Sequence, residues 1–154
     1  MADAPMAQPQ ATPRELVARY HASMLAKDAD ALAGLYAETG IHEFPLLSPF
    51  FPQRLHGREA VRQHYNAVWG RSPIRITEIR QVALHETADP GVIVSEAEFT
   101  AEGPAKTFSL AFAIVMQVKN GQIVHLRDYM DALGAAWNLG RLDVLVQALE
   151  RRQG

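Results

Sequence analysis

The chain has 154 residues, enough for one hydrophobic core of ordinary size. Its 15 Lys and Arg stand against 17 Asp and Glu, a formal charge of −2 that gives nucleic acid no electrostatic footprint and a membrane no polybasic anchor. Cysteine is absent, which excludes disulfides, thiolate nucleophiles and cysteine-ligated zinc.

Residues 1–12, dominated by Ala, Pro and Gln, have little to bury and are expected to form a mobile tail. They lack the charged start and apolar run of a secretion signal, and no window reaches the length of a membrane span, so a cytoplasmic setting is expected. Residues 13–154 read as a single domain. "TPRELVARYHASMLAKD" opens a helix: Thr12 caps it, Pro13 suits the first turn and Glu15 falls three residues after the cap. Leu16, Val17, Tyr20 and Met24 follow at helical spacing. "DADALAGLYAE" predicts a second helix that buries Leu32, Leu35 and Tyr36.

"TGIHEFPL" alternates as a short strand, with His42 and Phe44 on one face and Ile41 and Glu43 on the other. "LSPFFPQRLHG" reads as a loop stiffened by prolines. A third helix runs from Arg58 to about Trp69 on a Val61, Tyr65, Val68 stripe. From Ile74 the period drops to two through "IRITEIRQVALHE", "VIVSEAEFTAEG", "KTFSLAFAIVMQV" and "GQIVHLRDYMD". Three helices followed by a four-stranded antiparallel meander make an α+β fold, with the helices covering one face of a sheet. "LGRLDVLVQALERR" adds an amphipathic C-terminal helix, a candidate for packing on a partner subunit.

Asp128 is the anomaly. Alternation puts it in a row with Val124, Leu126 and Met130. A three-residue loop, Lys119-Asn120-Gly121, sets Leu126 opposite Ile114 and Asp128 opposite Phe112, facing inward. A two-residue Asn-Gly turn shifts the register by one and flips it outward. The first arrangement gathers the bulky residues of both strands on one side and is the one expected. An inward carboxylate loses hydration, which raises its pKa toward the range useful for proton abstraction. The bland alternative is a structural acceptor for a buried Tyr or His.

In order and spacing, "ARYHASMLAKDADALAGLYAE", "HGREAVRQHY" and "NGQIVHLRDYMD" resemble the nuclear transport factor 2-like superfamily. The SnoaL-like, ketosteroid-isomerase-related branch is the nearest. The resemblance covers residues 13–131 and makes 13–154 a single SnoaL-like domain. It implies a cone-like curved, mostly antiparallel sheet wrapped around three N-terminal helices (an α+β barrel), with an apolar cavity and with dimerisation through the outer sheet face.

Ketosteroid isomerase joins an aspartate base to an oxyanion hole of a tyrosine and a protonated aspartic acid. Its tyrosine falls on Tyr20, but its base falls on Phe44 and its protonated acid near Ile114. That steroid mechanism is therefore disfavoured. In the cyclase branch, an acid at the place of Asp128 serves as base. The Arg and Asp that epoxide-hydrolase relatives add on the neighbouring strand are missing from "SLAFAIVMQ".

The expected function is acid/base catalysis without cofactor or metal on a small hydrophobic, carbonyl-bearing molecule, of isomerase, cyclase or hydratase type. Asp128 acts as base, His42 assists by titrating near neutrality, and Tyr20 stabilises the oxyanion. Phe44, Phe112, Ile114, Leu126, Met130 and Trp69 are the expected substrate wall. Glu96 and Glu98 read as solvated, with Glu98 a reserve acid. Phe50 and Phe51 either cap the cavity mouth or cover a subunit boundary. The competing expectation is a non-catalytic binding or dimerisation module of the same fold.

Overall fold

The computed structural model describes residues 10–153. Most of the expected tail, residues 1–9, lies outside the described residues, while Ala11 packs against the core. Thr12 caps α1 (Pro13–Ala26): its hydroxyl accepts from the Glu15 amide, and the Glu15 carboxylate accepts from the Thr12 amide. Two otherwise unpaired donors are satisfied by one reciprocal pair. Asp28 caps α2 (Ala29–Gly34). Expected in this helix, Tyr36 instead opens β1 (Tyr36–Glu43), because the Leu35 carbonyl accepts from the Ile123 amide and turns the chain onto the sheet.

The proline-rich loop contains a three-residue strand, β2 (Arg54–His56), and leads into α3 (Arg58–Arg71). The meander follows as β3 (Arg75–Glu86), β4 (Val92–Glu102), β5 (Thr107–Lys119) and β6 (Gln122–Met130). Two helices, rather than the one expected, close the chain: α4 (Ala132–Asn138), capped by Asp131, and α5 (Leu142–Gln153).

One six-stranded sheet results, in the order β2-β1-β6-β5-β4-β3. β1 pairs parallel to β6 and every other pair is antiparallel. The sheet is curved and mostly antiparallel, as expected of the cone, and it is open, with β2 and β3 as its two edges. α1 lies across β3, β4 and β5, while α2 packs on α3, and α3 on β1. Phe108, Leu110, Phe112, Ile114 and Met116 form the buried row of β5. Gly40 lets β1 approach β6 closely, for a Cβ there would stand 2.7 Å from the Ile123 carbonyl oxygen.

The β5–β6 hairpin reaches the expected facing by another route. Its turn has two residues, Asn120 and Gly121, both at positive φ (52° and 69°), with Lys119 opposite Gln122. Continued unbroken, that register would turn Leu126 and Asp128 outward. An irregularity beyond Ile123 leaves Val124 as an extra residue, so that Gln117 meets His125 and Met116 meets Leu126. Asp128 then stands opposite Ile114 rather than Phe112, and Met130 opposite Phe112. Val124 drops out of the inward row, where Ile123, Leu126 and Asp128 are the buried residues.

Candidate functional site

Three elements deliver the central residues. Tyr20 comes from the buried stripe of α1, His42 from the inner face of β1, and Asp128 from the inner face of β6. The Tyr20 hydroxyl donates to Asp128 Oδ2 at 3.4 Å, and His42 Nε2 lies 3.8 Å from the same oxygen. Residues 108 positions apart in the chain thus converge on one carboxylate.

Two tyrosines absent from the expected site complete the cluster. The Tyr36 hydroxyl lies 2.7 Å from His42 Nδ1, and the Tyr65 hydroxyl 3.2 Å from His42 Nε2. Both ring nitrogens of His42 are therefore occupied, and the residue is wholly buried. Tyr65 was legible as part of the α3 stripe, but nothing in its spacing showed where its hydroxyl would end.

Burial governs the charge states. Desolvation raises the Asp128 pKa from 3.8 to about 7, against the opposing pull of the Tyr20 hydrogen bond. Desolvation, reinforced by His64 and His125, lowers that of His42 from 6.5 to about 3. The group that titrates near neutrality is thus the aspartate and not the expected histidine. Although 3.8 Å is within ion-pair range, His42 is neutral wherever Asp128 is ionised, so the contact is not an ion pair. Tyr20, Tyr36 and Tyr65 are pushed well above the usual phenol range by burial and stay protonated.

One oxygen remains free. Asp128 Oδ1 is buried and has no hydrogen-bond partner among the described residues; the same is true of His21 Nε2 and His64 Nε2. His21 follows Tyr20 on α1, and its ring meets Phe112 edge-on at 5.8 Å.

The expected substrate wall separates into parts. Ile114 and Leu126 are fully buried core residues, while Phe112 and Met130 pair across strands beside the acid. Phe44 lies 4.6 Å from the His42 ring and stacks on Phe51 at 5.2 Å; Trp69 lies 4.7 Å from the Tyr65 ring. Glu96 and Glu98 sit on the outer face, near His85 and Arg80, and do not approach Asp128. Instead of enclosing Asp128, as expected of the cavity, a hollow of about 190 Å³ lies at the 44–53 segment, and Tyr20, His42 and Asp128 do not line it.

The sequence pattern of the SnoaL-like domain matches residues 17–126. The chain belongs to the SnoaL-like domain family. Among its relatives, an uncharacterised PhzA/B-like protein of Pseudomonas aeruginosa is 26% identical over 127 residues, covering 80% of this chain and 86% of its own. This SnoaL-like chain also superposes on a Bacillus subtilis structure presented as a candidate isomerase. The TM-score there is 0.75 at 22% identity, over 83% of this chain and 92% of the other. A candidate polyketide cyclase of Xanthomonas campestris gives 0.65 at 18% identity, over 82% and 95%. At such identities these structures establish the ketosteroid-isomerase-like fold and no particular reaction.

Proposed function

We propose that the chain is an acid/base enzyme of the isomerase or cyclase type, acting on a small hydrophobic carbonyl compound with Asp128 as the proton acceptor. The observation that carries this reading is the bare, buried Oδ1 of a carboxyl group that ionises at about pH 7. A structural acid would be expected to use both of its oxygens. Here Tyr20 holds Oδ2 and leaves Oδ1 for a C–H acid.

In the proposed step Oδ1 takes the proton α to a carbonyl. The C–H electron pair becomes the enolate double bond, and negative charge passes to the carbonyl oxygen. Tyr20 keeps its proton and turns its hydrogen bond from the neutralised carboxyl to the enolate oxygen. His42, held between Tyr36 and Tyr65, positions these groups without touching substrate. Return of the proton to another carbon gives isomerisation; attack of the enolate on a second carbonyl gives cyclisation.

A binding or dimerisation module is the second reading. It is favoured by one observation, that the surface hollow does not extend to Asp128. Deuterium uptake from D₂O into 2-tetralone, followed by proton NMR, separates the two. Uptake should be faster with the protein than without it, and Asp128→Asn should remove the acceleration while the folded fraction stays unchanged. No acceleration on a panel of such ketones would favour the binding module.

A further inference from the structure

We propose that the hollow between the 44–53 segment and α5 is a binding site for a small aromatic carboxylate, with Arg152 holding the acid group and the Phe44–Phe51 pair holding the ring. Phe44, Leu46, Leu47, Ser48, Phe51 and Arg152 are among its lining residues, and no carboxylate lines it among the described residues. Its aromatic wall is flat: Phe44 and Phe51 stack with centroids 5.2 Å apart and planes 20° from parallel. A ligand ring laid on that pair extends an existing stack.

The cation is placed in advance. Arg152 Nη1 donates to the Ser48 carbonyl at 3.2 Å, which ties α5 to the loop. Nε and Nη2 have no hydrogen-bond or ion-pair partner among the described residues, so donors of the planar fork remain for a carboxylate. Leu46 and Leu47 are 55% and 72% exposed at the rim, apolar surface that a ligand would cover. At about 190 Å³ the hollow is below the ~300 Å³ at which pockets for drug-sized molecules begin, which sets the occupant at about one ring and its acid group. A single guanidinium matches a single negative charge. The site does not depend on the chemistry proposed for Asp128, from which it is separated by the Phe44 ring and His42.

The test is an NMR titration of the full-length protein with benzoate and, separately, with benzyl alcohol. Benzoate should bind about tenfold more tightly, the advantage of a charge-assisted pair, and the margin should shrink as salt is raised. Arg152→Gln should bring the two ligands within about twofold of each other. Arg152 is exposed, so this variant is expected to fold. Asp128→Asn should leave the benzoate affinity as it is. Equal affinities in the unaltered protein, a preference that survives Arg152→Gln, or its loss in Asp128→Asn would each overturn the assignment; the last would place benzoate at the acid instead.

Discussion

Asp128 keeps its proton in the folded chain up to about pH 7, whereas an unfolded chain releases it near 3.8. Over that interval the folded state binds the extra proton, so this group makes stability fall as pH rises, by about 4 kcal/mol in all. His42 acts in the opposite sense. Its folded pKa of about 3 lies below the unfolded 6.5, so its contribution is complete above 6.5 and is lost as pH falls toward 3. The two slopes nearly cancel between pH 4 and 6.5, and the Asp128 term becomes visible only by difference. Urea unfolding of Asp128→Asn and the unaltered chain should give a stability difference that grows in the variant's favour from pH 4 to 7 and is flat above. Parallel pH profiles would mean that the carboxyl is not desolvated. Tyr20→Phe removes the hydrogen bond that pulls the Asp128 pKa down. A ¹³C titration of that carboxyl should therefore move upward from about 7; a downward move would show that Tyr20 does not donate to it.

At the scale of the element, β6 shows what alternation can and cannot say. Hydrophobic faces gave the side on which Asp128 lies, because Leu126 and the bulky row of β5 gain most by sharing one interior. They did not give the means, since a two-residue turn with a bulge at Val124 has the same parity as a three-residue loop. Deleting Val124 should therefore remove the bulge and leave Leu126 and Asp128 inward, in a folded protein whose Asp128 still titrates near neutrality. Deleting Arg127, beyond the bulge, should turn Asp128 into solvent and lower its pKa to the ordinary range, or unfold the chain. The ¹³C titration separates these outcomes, and similar behaviour of the two deletions would remove the bulge from the explanation. Convergence of Tyr20, His42 and Asp128 was legible for the same reason: each occupies an inward position on a regular element. The hydroxyl partners were not, because where Tyr36 and Tyr65 end depends on how α3 sits on β1 and on the early end of α2, which helical spacing through Tyr36 concealed.

At the scale of the whole molecule, an open sheet leaves its outer face to be accounted for. Ala111, Ala113 and Val115 point outward from β5, with Val94 beside Val115 on β4. A shallow hollow on this face is lined by Val92, Val115, Gln117, His125 and Arg127. Within it the Arg127 Nε is buried without a partner among the described residues, a state that ordinarily costs a protein 1–3 kcal/mol or more. A second copy docked by two-fold symmetry would bring acidic residues of the same face, such as Glu96 and Glu98, toward that guanidinium while covering the small apolar row. The expected outcome is a dimer of about twice the 17.0 kDa chain mass in light scattering at tens of micromolar. Ala113→Arg sets a charge in the middle of the row and should give a folded monomer, since its side chain points away from the core. The Asp128 titration should be the same in monomer and dimer, because the acid faces the opposite side of the sheet. A monomer in the unaltered protein would leave Arg127 Nε to water, and a dimer that survives Ala113→Arg would place the interface elsewhere.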